Sequence, residues 1–156
     1  MGTGENVPMT RLMILALPLL LAGSAAEAKT HHAALKWTAG PPGLPSGAQM
    51  AVVSGDPGKK GMFVVEVKMP ADYAVPAHWH PTNETVKVLS GKIGYGMSDK
   101  LVEKGAKHLT PGHSVTMKAK MHHWVFASGP ATIQVSGMGP FAITYVDPKD
   151  DPRKKK

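Results

Sequence analysis

Glycine and proline cut this chain into pieces of strand length. Apolar runs recur at Met50 to Val53, Met62 to Lys68, Glu84 to Leu89, Ile93 to Met97, Ser114 to Met117, His123 to Ala127, Ala131 to Ser136 and Phe141 to Val146. Between them stand the breakers GDPGKKG (55–61), SG (90–91), PGH (111–113), SGP (128–130) and GMGP (137–140). The 156 residues include 17 glycines and 14 prolines, and no stretch holds a 3.6-residue apolar period for a useful length. Eight or so short runs at this spacing predict an all-β sandwich or barrel. A chain of this length suits one compact domain. It has no cysteine, which excludes disulfides and thiolate metal sites.

The two ends read differently from the middle. Met13 to Gly23 is an apolar run preceded by Arg11 and followed by Ala26-Glu27-Ala28. This is the order of a cleavable secretory signal peptide, expected to span residues 1–28, with cleavage after Ala28. The run is too short to span a membrane comfortably, so no stable membrane insertion is expected after cleavage. A periplasmic or secreted location follows. Residues 29–48 contain PPGLPSG and are expected as an extended surface arm. The barrel is expected over 49–146, and residues 147–156 as a basic tail. The formal net charge is +7, with four cations in Arg153-Lys154-Lys155-Lys156. A short solvated tail without a recognition motif does not make a nucleic-acid binder.

Alternation locates an inner face. Phe63, Val65 and Val67 share one parity, while Glu66 and Lys68 take the other. Glu84 shares its parity with Val86 and Val88, so its carboxylate is aimed at the core, where an unpartnered charge is costly. Just upstream, His78 and His80 stand two apart on one face of an extended segment. Two imidazoles and a carboxylate are a common set for a first-row divalent ion. A second segment, Gly112 to Ala127, supplies the pair His122 and His123.

Together the two segments resemble the motifs of the cupin superfamily. The first motif, G-x5-H-x-H-x3,4-E-x6-G, is matched by His78, His80, Glu84 and Gly91, with Asp72 at the leading glycine. The second, G-x5-P-x-G-x2-H-x3-N, is matched by Gly112 and His123. Lys118, Lys120 and Ala127 stand where Pro, Gly and Asn are usual, which implies a different backbone at that turn. The resemblance implies a single RmlC-like jelly-roll barrel. It also implies a metal site of His78, His80, Glu84 and His123, the motif register selecting His123 over His122. Trp124 and Phe126, of the opposite parity, then face a second sheet or a partner subunit, consistent with a homodimer. His108 and His113 are expected in surface turns.

The ion expected is one divalent transition metal: Fe, Mn, Ni, Zn or Cu. Cupins include dioxygenases, isomerases, decarboxylases, storage proteins and sensors. The resemblance thus implies an exported metal-binding cupin that processes a small molecule, with a dioxygenase-like metalloenzyme as the leading reading. The alternative is a non-enzymatic sensor or scavenger. Tyr95, Met97, Met117, Met121 and Trp79 are candidates to line or flank the cavity, and no general base stands out. Cleavage after Ala28 would also leave Lys29-Thr30-His31 at the start, a pattern able to wrap Cu(II) or Ni(II). Mass spectrometry of the exported protein is expected to find Lys29 as the first residue, and any other start removes that N-terminal site.

Overall fold

The computed structural model describes residues 35–155. The expected signal peptide and the His31 site lie outside them. The strands are β1 (Thr38–Ala39), β2 (Gln49–Ser54), β3 (Gly61–Met69), β4 (Tyr73–Trp79), β5 (Glu84–Ser90) and β6 (Ile93–Gly96). They continue with β7 (Lys107–Leu109), β8 (Ser114–Met117), β9 (His123–Ala127), β10 (Ala131–Gly139) and β11 (Thr144–Tyr145). One sheet has the order β1-β2-β3-β10-β5-β8, the other β11-β4-β9-β6-β7. Every described pairing is antiparallel.

The inner faces come from the alternation. Phe63, Val65 and Val67 of β3, Val86 and Val88 of β5, and Ile133 and Val135 of β10 form one wall of the core. Val75 of β4, Ala127 of β9, and Ile93 and Tyr95 of β6 belong to the same core from the other sheet. Glu66 departs from the expected pattern. It lies on the outward parity beside Lys68, yet it is buried, flanked in register by Ala51 and Gln134.

Seven of the expected runs became strands, with small shifts at their ends. Phe141 to Val146 yields only the two residues of β11. β1 and β7 are too short to leave an alternating signature. β4 contains Pro76, and a proline argues against a strand unless it sits at an edge or a bulge. Pro76 does lie where the β4–β9 register shifts. Val75 pairs with Val125 and His78 with His123, so β4 spends one more residue than β9 over this stretch. The extra residue reverses the parity of everything after it. Val75 and His78 therefore both belong to the inner face, although three positions apart.

Segments expected outside the barrel contribute to it. Within 29–48, Thr38–Ala39 joins the first sheet, Ala48 is buried in the core, and the carbonyls of Gly43 and Pro45 accept from the phenols of Tyr145 and Tyr73, each at 2.8 Å. The 147–155 segment forms two short 3-10 turns, Pro148–Asp150 and Pro152–Lys154, capped by the side chains of Asp147 and Asp151. Asp151 is buried there.

Trp124 and Phe126 face outward on β9 and are packed over within the chain. They form a second apolar cluster with Ala77, covered by Leu101 and Ala106 from the β6–β7 connection. The indole N–H of Trp124 donates to Ser98 Oγ at 2.8 Å. Both rings lie over the glycines of β6, where a Cβ on Gly94 would meet Phe126 and one on Gly96 would meet Trp124. Gly96→Ala is therefore expected to cost about 1–3 kcal/mol through overpacking. Denaturant unfolding, with tryptophan fluorescence to follow the indole, checks this.

Candidate metal centre

Four side chains from three segments of the chain meet in the interior. His78 emerges from β4 just past the register shift, and His80 follows β4 directly. Glu84 opens β5 and His123 opens β9, opposite His78. Two bonds stitch the two segments together: Lys120 N–H donates to His80 O at 2.8 Å, and Ala119 N–H to Asn83 Oδ1 at 2.9 Å. Gly91, which closes the first segment, needs its lack of a side chain. Its φ is 74°, and a Cβ there would run into the Pro130 carbonyl.

The ring centroids of His78, His80 and His123 are 4.3 to 5.2 Å apart, and one donor atom from each lies within 4.8 Å of the other two. Glu84 Oε2 stands 3.2 Å from His123 Nε2 and 3.6 Å from His80 Nε2. All four groups are buried.

Backbone carbonyls set the state of the imidazoles. His78 Nδ1 lies 2.7 Å from Pro76 O, His80 Nδ1 2.7 Å from Ala142 O, and His123 Nδ1 2.8 Å from Met121 O. A carbonyl can only accept, so each Nδ1 carries the proton and donates. In a neutral ring Nε2 is then a lone pair. His80 Nε2 and His123 Nε2 are buried and have no hydrogen-bond partner, while Glu84 Oε2 faces both. Lone pairs turned toward a carboxylate in a buried site call for a cation between them. The donor set therefore fits a divalent metal ion, and the carbonyls are the supports that metal-ligating histidines commonly have.

Electrostatics favour the same state. Burial, helped by the neighbouring His123 and His80, pulls His78 down to about 3. Burial also lowers His80, against the opposing pull of Glu84. For Glu84, burial pushes upward, but the His123 contact and the histidine charges outweigh it and hold the carboxyl below its usual range. Phe141 completes the surroundings by stacking on His80, with centroids 4.3 Å apart and planes 22° apart.

The site opens into a cavity of about 350 Å³. Its walls are mainly apolar, among them Phe63, Val65, Met117, Ile133 and Ile143.

No protein-family model matches the chain, and no curated protein matches it either. Solved structures do. The polyketide cyclase RemF from Streptomyces resistomycificus aligns with a TM-score of 0.61 at 18% identity, over 78% of this chain and 87% of that one. A candidate acetylacetone dioxygenase from Methylibium petroleiphilum PM1 aligns with a TM-score of 0.59 at 16% identity, over 88% and 90%. An RmlC-like cupin from Shewanella frigidimarina NCIMB 400 aligns with a TM-score of 0.55 at 12% identity, over 68% and 85%.

The fold is that of the cupins.

Within this cupin fold, the structure separates the two adjacent histidines. His123 joins the cluster, while His122 is half exposed and its Nδ1 lies 2.7 Å from Asp99 Oδ1. His108 and His113 are exposed. Of the residues expected near the cavity, Met117 lines it and Tyr95 is buried in the core. Met97 and Met121 are exposed. Trp79 is half-buried and is not part of the cavity wall. Two departures from the cupin motifs keep the backbone conformation that glycine favours: Asp72 has φ of 58° and Lys120 of 61°. The different turn expected at Lys120 is thus not found. The Met121 N–H to Lys118 O bond at 3.0 Å closes the turn, and the bond to His80 O pins it.

Phe141, the Ala142 carbonyl and Arg153 were missed by sequence reasoning. They lie beyond both motifs, and only the return of the chain past β10 brings them to the site. The pH response of the metal-free protein follows from His78. An unfolded histidine titrates near 6.5, so the unfolded chain binds more protons between about pH 6.5 and 3. Stability is complete above that window and falls as the pH drops through it. Thermal midpoints of chelator-treated protein are expected to show this decline, and His78→Gln to flatten it.

Proposed function

We propose that this chain is a metal-dependent cupin that acts on a small organic molecule, with dioxygenase-like oxidation as its chemistry. The observation that carries the reading is the set of three imidazoles, each with Nδ1 held by a carbonyl, whose Nε2 sides gather with the Glu84 carboxylate at the end of an apolar cavity. His78, His80, Glu84 and His123 would hold the ion. When bound, a divalent ion such as Fe, Mn, Ni or Cu supplies a Lewis acid and a redox centre for O2. The candidate dioxygenase among the structural neighbours agrees with this chemistry.

The remaining work belongs to the protein. Apolar walls take up the body of the substrate and keep water away from the ligands. Phe141 fixes the plane of His80, and the Ala142 carbonyl fixes its tautomer. The phenols of Tyr73 and Tyr145 are committed to the Pro45 and Gly43 carbonyls. Burial raises both, Tyr73 to about 12, so neither phenol is poised as an acid near neutral pH. The signal-like N-terminus supports action in the periplasm or outside the cell.

Metal analysis of protein purified without a histidine tag tests the reading. The native protein is expected to hold about one ion per chain, and His80→Ala or Glu84→Ala to weaken metal binding by about tenfold or more. Unchanged metal content in both variants would reject the site. Oxygen consumption by the metal-loaded protein with a panel of small carboxylic acids and diketones tests the oxidation. Its absence throughout would favour ligand binding without turnover.

A further inference from the structure

Arg153 is the cavity wall's one cation from outside the histidine cluster, among the described residues. It comes from a segment that the sequence presents as a solvated basic tail. Its guanidinium is held in a fixed orientation. Nε donates to Asp151 Oδ1 at 2.7 Å, Nη2 donates to Asp151 Oδ2 at 2.8 Å, and Nη2 also donates to Ile143 O at 3.1 Å. The Arg153 backbone N–H adds a bond to the same carboxylate at 3.0 Å, which completes the cap of the last 3-10 turn.

A guanidinium has five N–H donors. Three are used by these contacts, and the two that remain are both on Nη1. Among the described residues nothing accepts from Nη1. It lies at the wall formed by Gly43 and Ile143, where a Cβ added to Gly43 would come within 3.7 Å of it. Gly43 and Ile143 themselves line the cavity. The forked Asp151 pair therefore aligns the arginine and leaves one edge of it, carrying donors only, for a ligand.

We propose that Arg153 is a substrate-binding residue and that the cavity takes a small, largely apolar carboxylic acid, whose carboxylate accepts from Nη1. The inference deepens the proposed function and rests on it for the chemistry at the metal end of the cavity. The carboxylate follows from the donors. Nη1 offers two N–H groups and no acceptor, and hydrogen bonds to a charged acceptor are stronger than neutral ones. The apolar body follows from Phe63, Val65, Met69, Val135 and Ile143, which line the same cavity as Arg153 and the histidines. A volume of about 350 Å³ suits a small organic molecule.

The test compares hexanoate with 1-hexanol, two probes that differ only in the end group. Calorimetric titrations are run on the full protein, both metal-free and loaded with Zn(II). Hexanoate is expected to bind about tenfold more tightly than hexanol in both forms, in keeping with a hydrogen bond to a charged group. R153Q is expected to remove most of that preference and leave hexanol affinity unchanged. R153K, which keeps the charge but loses the fork, is expected to restore part of it. The idea is overturned if R153Q leaves the preference intact, if it weakens both probes equally, or if hexanoate does not bind. A preference that appears only with Zn(II) places the carboxylate on the metal and also overturns it. Because the metal-free titration reads Arg153 alone, a failure of the metal site leaves this outcome separately legible.

Discussion

The candidate site depends on one extra residue in β4. Between Val75 and His78 that strand uses one more residue than its partner β9, and Pro76 sits in the gap. Without the shift, strict alternation would keep Ala77 on the inner face with Val75 and put His78 on the outer face with Trp124. With it, the strand delivers Val75 to the core, Ala77 to the outer cluster and His78 to the inner face. The same irregularity frees the Pro76 carbonyl to accept from His78 Nδ1. Register and tautomer are thus set by a single local feature, a common role for bulges beside functional sites.

Around that feature the chain keeps four buried polar groups in a poised state. Three backbone carbonyls take the Nδ1 protons, which leaves Nε2 lone pairs facing inward. Burial keeps His78 and His80 neutral, with their Nε2 lone pairs free for a cation. Each condition suits a metal ligand and is costly in an empty apolar core. The apolar cavity beside the cluster makes these conditions useful, because it admits a ligand next to the centre.

Segments at the edges of the barrel do more than the repeating strands suggest. The turns around Gly43 and Pro45 close over Tyr73 and Tyr145, while Asp151 and Arg153 fold back against Ile143. These contacts join residues as far as 102 positions apart, a separation at which pattern reading has no purchase. Trp124 and Phe126 show the same limit. Their outward parity was legible, but their cover, Leu101 and Ala106, comes from a connection without periodicity.

Much of the design was legible in residue order. Alternation in β3 and β5 placed Phe63, Val65, Val67 and Val86 inward and turned Glu84 with them. The spacing of His78, His80 and Glu84 pointed to groups that come together, because a local pattern of two can be read from neighbours alone, while the resemblance to the cupin motifs added His123. What residue order left open was parity across Pro76, the partners of each Nδ1, the burial of Glu66 and the place of Arg153. The tertiary structure decided these, since each depends on which distant backbone lies alongside. A register shift or a long-range hydrogen bond is an agreement between two segments, and neither segment carries it by itself.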